Sequence, residues 1–165
     1  MKDLLTELEK TKTQLIQAIA AISEEQFNTV PFKDSWTAGQ VTEHIFKAVG
    51  VGVLYGKTQP TERAPDENVE ETGKLFLNMD IKMKSPDFIY PSDGPHDKNE
   101  MLAKLEDSFN KLITAAKTLD LTLTCVDFAI PGAPPWTRLE FIWFYVFHTT
   151  RHTNQLKNIA KALAG

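Results

Sequence analysis

Apolar residues recur at helical spacing across Lys2–Ile22, where Leu4, Leu8, Leu15, Ile19 and Ile22 are separated by Glu, Lys, Thr and Gln. That spacing predicts an amphipathic helix with one buried face. Val30-Pro31-Phe32 interrupts it. A second stripe, Val41, His44, Ile45, Ala48, Val49 and Val53, follows Thr37 and Gln40, whose spacing fits a capping box. A third helix starts near Asp97 and runs through Leu102, Leu105, Phe109, Leu112 and Ile113 to about Leu119. The fourth opens at Trp136, with Thr137 and Glu140 as a second capping box, and continues to about Leu163. At 1.5 Å per residue it is roughly 40 Å long. Phe141, Phe144, His148, His152, Gln155 and Ile159 share one of its faces. The pattern predicts an all-α fold. It is a four-helix bundle, one domain over residues 1–165, with one long crossover connection between helices two and three.

That connection, Lys57–Asp97, is punctuated by Pro60, Pro65, Pro86, Pro91 and Pro95. It is too long for a tight helix hairpin, so it should cross one end or side of the bundle as a lid. Val69–Leu77 reads as a short helix, and Lys84–Pro91 as an extended segment pinned by Phe88 and Tyr90. Leu121–Pro135 reads as an ordered loop without a paired strand. The fourth helix is unusually aromatic in its first half, which suggests burial on several sides, partly by a second copy. The expected assembly is a homodimer.

Charge and composition narrow the function classes. A net charge of −4 leaves no basic surplus to neutralise phosphates, so no nucleic-acid partner is expected. No apolar run approaches the ~20 residues that span a bilayer, and the charged N-terminus lacks a signal-peptide core. Cys125 is the only cysteine, which suits a reducing compartment; the expected location is the cytoplasm. Cys125 itself reads as a small buried apolar residue with no partner for nucleophilic chemistry.

The candidate chemistry lies in the histidines. His148 and His152 stand at i and i+4, hence on one helix face, where two imidazoles can converge on one ion. His44 lies in the apolar stripe of helix two. Buried imidazoles need partners for both ring nitrogens, and few polar groups surround these. Two readings stand: core histidines hydrogen-bonded to neighbours, or ligands of a shared metal. His148-Thr149-Thr150-Arg151-His152 is not the zincin motif, because Thr149 occupies the place of its glutamate base. Neither Glu43 nor Glu140 supplies the Glu-x-x-His pairs of a carboxylate-bridged two-metal bundle. His96, in a Pro- and Gly-rich turn, reads as an exposed loop residue.

Tryptophan with a capping residue at the start of helix two, a histidine one or two turns later, and H-T-x-R-H-x-x-Q on helix four together resemble the DinB/YfiT-like superfamily of four-helix-bundle metalloproteins. The resemblance covers essentially the whole chain. It implies that His44, His148 and His152 are the three ligands of a divalent metal ion. A histidine-only set suits zinc, nickel, copper or iron about equally. Three neutral imidazoles leave an open coordination position, as in catalytic rather than structural sites. The resemblance further implies a low-molecular-weight thiol as co-substrate, transferred to a small electrophilic molecule or used in its isomerisation. Arg151 is a candidate for holding an anionic group, or else an ion-pair partner of Glu140 or another carboxylate. Gln155 is a candidate for orienting His152. The competing function is a stress-associated bundle that binds metal or ligand without turnover. One structural requirement separates these from three ordinary core histidines: His44 must face the His148–His152 segment, with ring nitrogens meeting at one point.

Overall fold

A computed structural model describes residues 3–165; the expected helical residue Lys2 lies outside them. Helix α1 spans Leu4–Ala20 and is capped by Asp3, whose carboxylate accepts from the Leu5 amide. Helix α2 spans Ala38–Ala48, and the short α3 spans Val51–Leu54. Strand β1 (Thr58–Gln59), helix α4 (Val69–Leu77) and a 3-10 turn at Asp87–Ile89 follow. Helix α5 spans Lys98–Thr118, strand β2 Thr124–Cys125, and helix α6 Arg138–Ala164.

The four long helices α1, α2, α5 and α6 form the bundle. Helices α2 and α1 each pack against both α5 and α6, so α1 and α2 lie on one diagonal and α5 and α6 on the other. The first two long helices thus face each other across the core, as do the last two, and the segments joining α1 to α2 and α5 to α6 cross the end of the bundle. Leu8, Leu15, Ile19, Ile45, Leu105, Phe109, Leu112, Ile142, Leu156 and Ile159 fill the core at essentially zero exposure.

Several sequence expectations are corrected. The second apolar stripe does not form one helix to Val53. It breaks at Val49-Gly50, where glycine weakens the helix and the Tyr145 hydroxyl donates to the Gly50 carbonyl at 2.9 Å. Leu121–Pro135 does contain a paired strand. Thr58 pairs with Cys125 and Gln59 with Thr124, antiparallel. The other edge of β2 binds the chain entering α6, through Cys125 N–H to the Trp136 carbonyl at 2.9 Å and an isolated bridge from Thr124 to Thr137. Two-residue strands carry no readable alternation, so their pairing is decided by tertiary contact. The segment Lys84–Pro91 is held by Ile89, which is buried, while Phe88 and Tyr90 are half-exposed. The aromatic first half of α6 is covered within the chain. Trp143, Phe144 and Tyr145 are all buried, and α4 packs across this helix. Gly73 marks the closest approach, since a Cβ there would stand 3.0 Å from the Phe147 ring. The aromatic excess therefore needs no second copy to bury it.

Candidate metal centre

Helices α2 and α6 each begin at a full capping box. Thr37 and Thr137 accept from the N3 amides, while Gln40 and Glu140 accept from the cap amides in return. Both helix starts are thereby fixed, and with them the directions of His44, His148 and His152. His44 and His148 are almost fully buried and His152 is partly buried. His44 Nε2 lies 3.1 Å from His148 Nε2 and 3.1 Å from His152 Nε2. One ligand atom from each of the three falls within 4.8 Å of the others. The requirement that His44 face the α6 pair is met.

The tautomers follow from the opposite edges of the rings. His44 Nδ1 is 2.9 Å from the Ile89 carbonyl, which can only accept, so this nitrogen carries the proton. His152 Nδ1 lies 2.7 Å from Gln155 Oε1, and the same holds there. Both Nε2 atoms therefore present lone pairs, and these two lone pairs face each other at 3.1 Å. His148 is different. Its Nδ1 is buried without a partner, and its ring is held by edge contacts with Phe76 and by Phe144.

Protons do not readily relieve the opposed lone pairs. Burial lowers all three histidine pKa values, His148 well below the ordinary value and His152 to about 4; the neighbouring histidines and Arg151 add to the effect at those two, and Lys47 adds to it at His44. The cluster is neutral at pH 7. A zinc ion at about 2.0–2.1 Å from three nitrogens in tetrahedral geometry sets those nitrogens about 3.3 Å apart. The two 3.1 Å approaches to His44 Nε2 come close to that demand.

The same shifts set a pH dependence for the metal-free protein. Histidines of the unfolded chain protonate near 6.5, whereas the folded cluster stays neutral to about pH 4 at His152. The unfolded state therefore binds more protons in that window, and folded stability falls as pH drops through it. Melting temperatures in the presence of a chelator should decline from pH 7 to pH 4.5, and His152→Gln should flatten the slope. A slope unchanged by that substitution would contradict the assigned protonation.

Other sequence candidates resolve differently. Arg151 makes no ion pair with Glu140. Its guanidinium donates to the carbonyls of Phe76, Asn78 and Ile81, capping the end of α4 and fixing the chain beyond it. Glu140 instead binds Arg63 and Asn68 of the long connection. Gln155 stands where the sequence placed it, against His152. His96 is not an exposed loop residue. Its side chain is only 7% exposed, and its Nε2 lies 2.7 Å from Glu43 Oε2. Burial raises the Glu43 pKa, but hydrogen bonds from His96 and Ser92 and the charge of Lys47 outweigh it and leave that carboxyl at about 2. This contact ties the turn before α5 to α2. Burial pushes the Cys125 thiol up, in keeping with a packing role.

A cavity of about 840 Å³ opens onto the histidine cluster. Its walls include Trp36, Phe76, Phe128, Phe141 and Phe144, and the long connection supplies one side through residues 79–89. The orienting Ile89 carbonyl and the wall formed by residues 82–85 were invisible in the sequence. A backbone carbonyl has no residue signature, and nothing local in a Pro-rich connection says which helix it will cover.

The sequence profile described as the DinB superfamily matches residues 7–156. No curated protein matches the chain. Among solved structures, the chain resembles YfiT from Bacillus subtilis, described as a probable metal-dependent hydrolase with an unusual four-helix bundle topology. The TM-score is 0.64 at 15% identity, over 98% of this chain and 86% of that one. At that identity the likeness concerns the fold.

Proposed function

From the premise that this chain belongs to the DinB superfamily, we propose that it is a metal-dependent enzyme whose ion is held by His44, His148 and His152, acting on a small electrophilic molecule. The observation that carries the reading is the 3.1 Å approach of the His44 and His152 Nε2 atoms, both left unprotonated by their Nδ1 partners. Two buried lone pairs so opposed are stabilised by a shared cation, and the depressed basicity of the cluster disfavours a proton in that place. A divalent ion on three neutral imidazoles keeps its full charge and an open position, and it can make a thiol or water acidic enough to ionise near neutral pH.

The chain's own residues supply the rest. The Ile89 carbonyl and Gln155 fix the tautomers of His44 and His152 and so aim their lone pairs. Trp36, Phe76 and Phe144 wall the cluster with apolar surface, and that low-polarity lining strengthens electrostatic interactions beside it. Asp34 is the only carboxylate among the residues lining the cavity. Among the described residues no carboxylate or lysine touches His44, His148 or His152, so no further side chain there is set up to take a proton from water. That absence favours transfer of a low-molecular-weight thiol, which needs no base once ionised, over hydrolysis.

The test is turnover by metal-loaded protein with a panel of small thiols and an aryl halide, run beside ester hydrolysis without thiol. Thiol-dependent conjugate formation that disappears with chelator is the expected result. Metal-dependent ester hydrolysis alone would replace this reading with a hydrolase, the activity described for the YfiT neighbour. Bound metal with no turnover in either assay would favour a binding protein.

A further inference from the structure

The residues lining the cavity beyond the histidines divide by chemistry. Phe32, Met79, Met83 and Phe88 all line it, yet they remain 55%, 44%, 37% and 55% exposed, which places them at its open side. Large apolar side chains gathered around one opening mark a surface that a ligand covers. Two of the four are methionines, whose flexible thioethers adapt to alkyl or aryl shapes.

Charge in the same cavity is one-sided. Lys82 and Lys84 flank Met83 and are exposed, and among the described residues neither has a hydrogen bond or ion pair. Arg151 is bound by three carbonyls and by no carboxylate, so its positive charge is not neutralised. Lys47 is compensated by Glu43 at 3.5 Å. Asp34 is the only acid in the lining. A chain of net charge −4 thus carries a locally positive pocket, where field lines focus between low-dielectric walls. The Ser85 hydroxyl, one residue beyond Lys84, lies 3.4 Å from His44 Nδ1, so this cationic segment runs beside the histidine cluster.

We infer that the pocket takes an amphipathic anion, with an alkyl or aryl body lying against Phe32, Phe88 and the two methionines and an anionic group at Lys82 and Lys84. The inference deepens the proposed function and rests on it only for the identity of the cluster as the reacting end. The volume of about 840 Å³ is in the upper part of the range for pockets that enclose drug-sized molecules.

Calorimetric titration of decanoate and of the uncharged decanol, into both chelator-treated and zinc-loaded protein, tests it. Decanoate should bind the metal-free protein about three- to tenfold more tightly than decanol, as expected for two exposed charge contacts. High salt should narrow that gap. The double substitution Lys82→Gln/Lys84→Gln should remove the preference while leaving decanol affinity and zinc affinity unchanged. Equal affinities, no measurable binding of either probe, or a double variant indistinguishable from the wild type would overturn the inference. Anion preference in a protein that fails to bind zinc would support it while overturning the metal-centre reading. Zinc binding without anion preference would do the reverse.

Discussion

Replacing His148 by Ala is expected to abolish stoichiometric divalent metal binding while the bundle stays folded. The three Nε2 atoms meet from two helices, and His148 is the most deeply buried contributor on α6. Its loss leaves two imidazoles, and the affinity for zinc should fall by more than about 100-fold, since even a partner that only orients a ligand is worth 10–100-fold. Gln155→Leu is the graded companion. It removes the acceptor of His152 Nδ1 and should weaken zinc within that smaller range. Stability gives a second readout. Zinc at a hundredfold excess over its dissociation constant adds about 2.7 kcal/mol to the folded state, or about 5–10 °C in a domain of this size. The wild type should show this shift and His148→Ala should not. The metal-free variant should remain folded, because the orphaned Nδ1 is buried with it and the deletion removes that unsatisfied atom too. Equal zinc stoichiometry in variant and wild type would end the metal-centre reading.

The second large effect is structural and lies at the other end of α6. Glu140 is 2% exposed and accepts from Arg63 at 2.7 and 2.8 Å, from the Asn68 amide at 2.8 Å and from the Thr137 amide at 2.9 Å. Burial raises its pKa, but Arg63 and the backbone amides outweigh that and hold it below the ordinary carboxylate range. One carboxylate thus caps α6 and fastens the start of the long connection to it. Glu140→Gln removes the charge and leaves Arg63 facing a neutral amide. Breaking such a pair costs about 3 kcal/mol, the low end of the range for buried pairs because Arg63 keeps some solvent contact. The melting temperature should fall by about 6–12 °C. A loss under about 1 kcal/mol in chemical denaturation would show that the capping hydrogen bonds, which Gln can keep, carry the junction instead. The pH dependence adds a check. A depressed carboxylate contributes stability above its unfolded pKa that is lost as pH falls through the folded value, so the variant should be the less acid-sensitive protein.

Much of the ligand set was legible because its geometry is local. His148 and His152 are one helical turn apart, and any α-helix puts them on one face. The capping boxes at Thr37 and Thr137 were legible for the same reason, being patterns of four consecutive residues. The misreadings share the opposite property. An ion pair with Glu140 was one of the readings open for Arg151, but the two lie far apart along α6, and its acceptors are carbonyls from a connection some seventy residues earlier. His96 looked exposed because its neighbours are Pro, Gly, Ser and Asp, yet Glu43 and Asn28 close around it from other elements. Strand β2 is too short to show a period.

By itself the sequence determined the helices, their starts and the pairing of His148 with His152, since each depends on hydrogen bonds and side-chain directions within a few residues. Only the tertiary structure decided that α2 lies beside α6 with His44 aimed at that pair. It also decided that the Ile89 carbonyl turns the His44 ring nitrogen inward, and that Lys82 and Lys84 end beside the cluster. Those facts depend on how a long, weakly patterned connection packs. Packing energy there is spread over many distant contacts, none of which is written in the order of neighbouring residues.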